Sequence, residues 1–224
     1  MCFLFQCSYA GMKNNVEFEA SIRDGNTESI QNLFGYSFTL DSDIDVLKIG
    51  AEYEYSEKDN IKDQESFSVY EEWERTLIQK IYAMFNSSIK YDQAQEVERC
   101  LKLSPGIGVY LFKNDRTKIS VDGGVTYFIE KLDNQSLQDG LQVRARQRAE
   151  VTIIENIKLV ECLEYYPDVD NFNNYEIKGE VGIEAGIYKG FKARILYRDE
   201  YQSRPLANVE NNDVSVVTGV SYEF

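Results

Sequence analysis

The sequence lacks histidine altogether, and it has only three prolines and one tryptophan. Without a histidine general base, Ser-His and Cys-His catalysis are excluded. No Gly-x-Ser-x-Gly motif marks a serine nucleophile. We therefore predict that the chain is not an enzyme and that it has no catalytic residue, cofactor or metal. An enzyme that works with carboxylates alone stays open as an alternative, because acidic side chains are plentiful.

A basic excess and a long apolar run are missing too. The chain has 24 Lys and Arg against 38 Asp and Glu, which gives a formal net charge of -14. Nucleic-acid binding needs a basic face that displaces counterions from phosphates, so this class of partner is excluded. No apolar run approaches the ~18 residues that a transmembrane helix requires. A β-barrel stays compatible with the sequence, because its lipid-facing residues occupy only every second position.

Cysteine is scarce and dispersed. Cys100 and Cys162 fall in predicted strands that are not neighbours. A disulfide or metal site would need closer spacing or histidine partners. We therefore expect two lone buried thiols.

The first ten residues are mostly apolar and end in Ser8-Tyr9-Ala10, a small-x-small pattern typical of signal-peptide cleavage. We predict that residues 1–10 are the remnant of a signal peptide and that residues 11–224 form a single barrel domain. The alternative is an N-terminal strand or plug segment that stays attached.

The dominant pattern from Val16 onward is a period of two, which indicates β-strands. The final segment shows it most clearly, with one face made of Val214, Val216, Thr218, Val220, Tyr222 and Phe224. Such segments alternate over roughly 11 to 15 residues, whereas globular strands average ~5–6 and tilted membrane strands need ~9–11. Strands of this length, repeated along the chain, favour a membrane barrel over a sandwich.

The connections between these segments alternate between short and long. Short turns are expected near residues 41–43, 79–80, 114–115, 155–156 and 189–190, and longer loops near 57–65, 92–98, 131–140, 167–174 and 202–212. Outer-membrane barrels have short periplasmic turns and longer extracellular loops. The first hairpin, Asp24-Gly25-Asn26-Thr27, is a tight exception on the long-loop side. We predict an all-β, antiparallel transmembrane β-barrel of about twelve strands with both termini periplasmic.

Aromatic residues near the predicted strand ends support the membrane interpretation, because girdles of amphipathic rings mark the bilayer interfaces. They include Tyr36, Phe38, Tyr53, Tyr55, Tyr110, Phe112, Tyr127, Phe128, Tyr165, Tyr166, Tyr188, Phe191, Tyr222 and Phe224. Three charges depart from the pattern, since Glu71, Arg75 and Glu161 fall on apolar faces. We expect them near an interface, or a bulge that shifts the register.

Several short motifs, in this order along the chain, resemble the "salt-induced outer membrane protein" or YdiY-like family, which is built on a domain of unknown function. They are Asp24-Gly25-Asn26-Thr27, Tyr91-Asp92, Gly106-Ile107-Gly108-Val109-Tyr110, Gly123-Gly124-Val125-Thr126-Tyr127, Tyr165-Tyr166-Pro167, Tyr201 with Pro205, Asn212-Asp213, and Thr218-Gly219 with Tyr222 and Phe224. The resemblance covers about Val16 to Phe224 and implies a bacterial outer-membrane barrel without established catalytic residues. The last strand, which ends in Phe224, also resembles the signal read by the barrel-assembly machinery of Gram-negative bacteria.

The charged face of the alternating strands supplies the candidate functional residues. In a membrane barrel this face lines the lumen. The candidates are Arg144, Arg146, Arg148, Glu176, Lys178, Glu180, Glu184, Lys192, Arg194 and Arg198. Acidic groups also gather on early strands, at Glu17, Glu19, Glu52 and Glu54. A plugged, ion-paired interior and a narrow pore between a basic and an acidic stripe are both open.

Two functional hypotheses follow. The first is a monomeric outer-membrane barrel, in contact with lipid, that serves envelope integrity or small-solute and ion passage under osmotic (salt) stress. The second is a soluble periplasmic β-barrel or sandwich that binds a lipid or apolar ligand, with its apolar residues inside and its charges outside.

Overall fold

The computed structural model describes residues 11–24, 29–58, 61–93, 97–133, 136–205 and 210–224. Twelve strands make up this part of the chain. They are β1 (Gly11–Asp24), β2 (Ser29–Asp41), β3 (Asp45–Lys58), β4 (Ile61–Ile78), β5 (Ile81–Asp92), β6 (Val97–Lys113), β7 (Thr117–Leu132), β8 (Gln138–Ile154), β9 (Ile157–Pro167), β10 (Tyr175–Tyr188), β11 (Phe191–Gln202) and β12 (Asn212–Glu223). The proposed signal remnant, residues 1–10, and the core of the first hairpin turn lie outside the described residues.

The strands form one closed antiparallel barrel in which each strand pairs with its neighbours in sequence. Closure is made by β1 and β12, whose register runs from Asn15 opposite Glu223 to Asp24 opposite Val214. At the seam, the Asn14 amide donates to the Phe224 carbonyl at 3.0 Å, and the Phe224 amide donates back at 2.9 Å. A closed barrel has no unpaired edge, so every strand can satisfy its backbone groups within the sheet. The predicted fold class is confirmed.

The two ends of the barrel differ in their connections. Short turns follow β2, β4, β6, β8 and β10, as predicted, and the start of β1 and the end of β12 lie at this same end. Two of these turns need left-handed backbone, at Gln79 and at Lys189-Gly190. The longer connections after β9 and β11 are also where they were expected. The predicted loop at 57–65 is wrong, because β3 and β4 stay paired as far as Lys58 and Ile61.

Outward positions of the strands are mainly apolar, and inward positions are mainly polar or charged. Ile107 is 61% exposed on the outer surface, whereas the charged side chains of Glu19 and Arg144 are 1% and 2% exposed in the interior. This arrangement is the reverse of a soluble sandwich, so the alternative of a soluble barrel with an apolar interior is wrong. Within the described residues, no helix combines the length and apolar character that crossing a membrane requires.

Exposed aromatic rings lie on the outer surface near both ends, but three of the predicted girdle residues do not belong to it. Tyr110 is buried in the interior, and the rings of Phe128 and Tyr166 line an internal cavity. Consecutive residues of a strand point to opposite faces, so Tyr127 and Phe128 cannot both face outward. A register shift between Tyr110 and Phe112 likewise turns one ring inward and the other outward.

The three charges on apolar faces all keep their outward positions. Arg75 lies near the β2–β3 turn and donates to Asp45 at 2.8 and 2.7 Å, as expected of an interfacial residue. Glu71 accepts from Ser87 at 3.3 Å. Glu161 accepts from Gln147 on the neighbouring strand at 3.1 and 3.3 Å. No register shift displaces Glu71 or Glu161 in the described pairings, so bulges do not explain them.

Candidate functional site

The interior of the barrel collects the candidate functional side chains. All ten charged residues singled out from the sequence occupy inward-facing positions, in alternation with outward apolar residues, and each takes part in an ion pair. They divide into one buried cluster on β4–β9, a second cluster between β1 and β11, and smaller groups nearer the ends. The first two groups occupy the middle of the barrel and determine how much of the lumen is filled.

The first group, which we call the arginine cluster, consists of Glu74, Tyr82, Met84, Tyr110, Asp122, Arg144, Arg146, Arg148 and Glu164. Its centre is Asp122, whose side chain is fully buried. Arg146 Nε lies 3.0 Å from Asp122 Oδ2, and the Tyr82 hydroxyl donates to the same oxygen at 3.1 Å. Arg144 Nη2 lies 2.9 Å from Glu164 Oε1.

Some contacts of the arginine cluster cross the lumen. Arg148 on β8 pairs with Glu74 on β4, four strands away around the barrel. The Tyr110 hydroxyl donates to the other oxygen of Glu74 at 2.8 Å. Met84 accepts from Arg144 and Arg146 at 3.5 and 3.6 Å. Because every charge has a partner, the desolvation cost of burying them is offset by Coulombic attraction and hydrogen bonds. The cluster therefore fills the lumen on the β4–β9 side.

Two glycines of β6 make room for this filling. A Cβ atom on Gly108 would lie 2.2 Å from Tyr82 Cζ, and one on Gly106 would lie 2.4 Å from Met84 Cε. Any larger side chain would therefore collide with the inward rings and thioether of β5. The Gly-x-Gly spacing on β6 thus reflects close packing across the sheet rather than a phosphate-binding loop.

The second group, the β1–β11 cluster, consists of Glu17, Glu19, Glu180, Arg194 and Arg198. Arg194 bridges to Glu19 and also lies 3.1 Å from Glu17 Oε2. Arg198 lies 2.6 Å from Glu180 Oε2 and 3.5 Å from Glu19 Oε2. These contacts reach across β12, whose inward residues Val217 and Gly219 are small enough to leave the space. Basic side chains of late strands thus meet acidic ones of early strands.

The remaining candidates lie closer to the barrel ends. Lys178 Nζ is 3.0 Å from Glu176 and 3.9 Å from Glu200, toward the end with the longer connections. Lys192 Nζ is 3.5 Å from Glu184 and 3.3 Å from Glu223, toward the short-turn end. The ion pairs of both lysines are part-exposed, so they stabilise the fold less than the buried ion pairs do.

An internal cavity of about 850 Å³ occupies the half of the barrel toward the longer connections. Its walls reach residues of the connections themselves, such as Asn174 and Arg204, and none of the short turns. Its carboxylates are Glu17, Glu19, Glu52, Glu54, Glu72, Asp92, Glu130, Glu164, Asp168, Glu176, Glu180, Glu200 and Asp213, and its cations are Lys48, Lys90, Lys102, Lys178, Arg194, Arg198 and Arg204. Among the described lining residues, thirteen carboxylates against seven cations give the cavity an acidic excess.

The acidic excess is concentrated on one wall. Among the described side chains of β3 and β4, the cavity is lined by Glu52, Glu54 and Glu72, with Lys48 as the cation in this set. Glu54 accepts from the hydroxyl of Ser66 at 2.9 Å, which orients it along this wall. A concave surface with an excess of one charge sign raises the local concentration of counter-ions. The cavity is thus suited to small cations.

The sequence-based candidates include only the three arginines of the nine-residue arginine cluster. Glu74, Tyr82, Met84, Asp122 and Glu164 were not singled out, and Tyr110 was assigned to the wrong face. The signal was present in part, since Tyr82 and Met84 alternate with the outward residues of β5. The sequence does not show that Glu74 on β4 forms an ion pair with Arg148 on β8 across the lumen, because that contact depends on barrel closure.

A closed barrel of twelve long antiparallel strands, with an apolar exterior and a charged interior, defines a β-barrel of the outer-membrane type. The family follows from the sequence itself, because the model of the family "Protein of unknown function, DUF481" matches residues 16–224. The chain belongs to this family, which confirms the resemblance to the YdiY-like group. A comparison with curated proteins gives no match.

Solved structures share the fold. The NanC porin superposes with a TM-score of 0.66 at 8% identity, covering 92% of this chain and 98% of that one. The KdgM porin in complex with disordered oligogalacturonate gives 0.58 at 11% identity, with 94% and 99% covered. The translocator domain of the autotransporter NalP from Neisseria meningitidis gives 0.57 at 12% identity, with 98% and 90% covered. At these identities the comparison shows the fold alone.

Proposed function

We propose that this protein is a narrow channel of the bacterial outer membrane that admits small solutes, with a preference for cations, from the side of the longer connections. In this proposal lipid surrounds the apolar belt, and the short turns and both termini face the periplasm. The last strand and Phe224 are recognised by the barrel-assembly machinery. Passage is slow because the arginine cluster and the β1–β11 cluster narrow the lumen.

One observation carries the proposal: a cavity whose described lining is net acidic reaches the longer connections and borders ion-paired layers of side chains. The carboxylate excess on β3 and β4 favours entry of cations through its electrostatic field. The paired charges below present an electrostatically balanced constriction, which slows ions without holding them tightly. The resemblance to the salt-induced family adds the expectation that this passage serves the cell under osmotic stress.

The acidic charge of the cavity bears on which class of solute can enter it. Oligogalacturonate, the ligand named with the KdgM porin, is a chain of carboxylates. A polyanion entering the present cavity would meet the acidic wall of Glu52, Glu54 and Glu72 and would be repelled. We therefore propose small cations or neutral solutes, and not acidic oligosaccharides, as the class that passes.

The test is the reversal potential of the purified barrel in planar bilayers under a KCl gradient. We expect a potential of the sign that indicates preference for K⁺ over Cl⁻. Replacing Glu52, Glu54 and Glu72 with Gln is expected to shift that potential toward zero, because it removes the acidic wall.

A matched control removes three charges outside the cavity, by Asp43→Asn, Asp115→Asn and Glu155→Gln in the short turns. This variant has the same net charge as the cavity variant and should retain the wild-type preference. A preference for Cl⁻, or an equal shift in both variants, would contradict cation entry through this cavity.

Envelope integrity is the second candidate function, and the ion-paired layers favour it, because they rigidify the barrel and narrow the lumen. The double change Glu74→Ala and Arg148→Ala removes the pair that crosses the lumen. If the protein is a channel, this variant should conduct more than the wild type. If a correctly folded variant and the wild type both fail to conduct at any voltage, the role is structural.

A further inference from the structure

We propose that the outer surface of β8 and β9 is the docking face for a second copy of this chain, related by a two-fold axis along the membrane normal. This inference rests on the placement of the barrel in a bilayer, which is part of the proposed function. It replaces the expectation of a monomer. It concerns the lipid-facing surface and is independent of any passage through the lumen.

The observation is a polar pair in the middle of an apolar surface. Glu161 on β9 accepts from Gln147 Nε2 on β8 at 3.1 and 3.3 Å. Along β9, Glu161 lies between the outward residues Leu159 and Leu163, which are 39% and 45% exposed. A carboxyl group on a lipid-facing surface at this depth is unfavourable, and intramembrane ionisable residues usually mark functional contacts.

The pair is not fully satisfied within one chain. A carboxylate offers about four acceptor positions, and an amide nitrogen offers two N–H donors. Here a single nitrogen, Gln147 Nε2, donates to both oxygens of Glu161. The outward residues that pair with Gln147 and Glu161 across the strands are Val121, Leu163, Ala149 and Val181, and none has a side-chain donor. These paired positions therefore offer Glu161 no further donor, and a partner chain can supply one.

A second copy supplies the missing donor by symmetry. Gln147 is paired with Leu163 and Glu161 with Ala149, so the polar residues are diagonal neighbours. In strands tilted by about 40°, this diagonal lies nearly parallel to the membrane plane. A two-fold axis along the membrane normal keeps depth unchanged, so it places Gln147 of each copy against Glu161 of the other, an isologous contact.

The neighbouring surface allows such close contact. The outward residues of β8 that flank Gln147 are Ala145 and Ala149. On β7, Val121 pairs with Gln147 and Gly123 pairs with Ala145. Small residues let the backbones of membrane-embedded elements approach closely. The polar pair thus lies in a shallow strip where a second barrel can reach it.

Glu71, a second carboxylate on the outer surface, does not offer the same arrangement. Glu71 lies two positions from Trp73 and four from Arg75, which form the polar rim with Asp45 near the short turns. Its partner is a serine hydroxyl, which donates once and leaves no second donor for a symmetric contact. We therefore assign the docking face to Gln147 and Glu161 alone.

Site-directed cross-linking tests the proposal. All four native cysteines are replaced with serine, and two differently tagged variants, Gln147→Cys and Glu161→Cys, are purified, mixed and reconstituted into vesicles. Oxidation before detergent is added should give a mixed disulfide dimer. The matched control mixes Tyr36→Cys with Ile49→Cys, an outward diagonal of the same geometry on the opposite side of the barrel. We expect at least tenfold more cross-linked dimer from the first mixture.

A second variant tests the dimer without cysteine substitutions, so its result does not depend on the folding of the cysteine variants. Gln147→Leu with Glu161→Leu keeps the size of both side chains and removes their polarity. The wild type is expected to be dimeric in nanodiscs by native mass measurement, and this variant monomeric with unchanged heat-modifiable gel mobility. Equal cross-linking in both mixtures, a monomeric wild type, or a variant that stays dimeric would each overturn the proposal. Conductance recorded on the same samples tests the channel separately.

Discussion

Replacing Asp122 with Asn tests whether the arginine cluster is sealed from water. Asp122 is fully buried, 3.0 Å from Arg146 and 3.7 Å from Arg148, and it accepts from the Tyr82 hydroxyl at 3.1 Å. Asparagine keeps the shape but removes the charge, so buried guanidinium groups lose their central counter-ion. Breaking a buried ion pair by neutralising one partner costs about 3–5 kcal/mol. We expect this loss in the free energy of unfolding.

The assay is urea unfolding of the barrel refolded in detergent or lipid. Trp73 is the only tryptophan and lies on the outer face of β4, so its fluorescence reports loss of the lipid-facing surface. A cost of 3–5 kcal/mol corresponds to roughly two to three and a half orders of magnitude in the unfolding equilibrium. The control is Glu223→Gln, which breaks part-exposed pairs with Lys192 and should cost at most about 1 kcal/mol.

A second comparison separates the ion pair from general damage. Combining Asp122→Asn with Arg146→Gln should cost less than the sum of the two single changes, because residues in contact are coupled. A cost for Asp122→Asn no larger than that of Glu223→Gln would refute the reasoning. It would mean that water screens the cluster, and hence that the lumen is open at this depth.

Three further predictions concern packing, access and closure. Gly108→Val should displace the Tyr82 ring, because even a Cβ would lie 2.2 Å from its Cζ, and cost about 1–3 kcal/mol in the same unfolding assay. In a cysteine-free background, Ser88→Cys, which lines the cavity, should react with a water-soluble thiol reagent at least tenfold faster than Ser120→Cys, which is 1% exposed. Deleting Phe224 removes two backbone hydrogen bonds at the seam and should lower the yield of heat-modifiable barrel in cells, whereas Phe224→Tyr should not.

The outward carboxylates show where sequence reasoning works and where it stops. The period of two correctly placed Glu71 and Glu161 on the apolar face, because side-chain direction is local to a strand. The expected explanation, an interface or a bulge, is correct for Arg75 and is not supported for Glu161, whose neighbours along β9 are apolar. Its partner Gln147 lies on the adjacent strand, and that diagonal contact depends on the register between β8 and β9.

The sequence by itself determined the number of strands, the end at which most turns are short, and which face of each strand is charged. These properties depend on alternation and turn chemistry, which act over a few residues. Only the tertiary structure decided that Arg148 meets Glu74, that Tyr110 points inward, and that an acidic cavity lies above filled layers. The Arg148–Glu74 contact joins strands that are not neighbours, and barrel closure with its tilt and shear sets which strands face one another across the lumen. The orientation of Tyr110 follows from the register shift between β6 and β7, which the alternation in the sequence does not show.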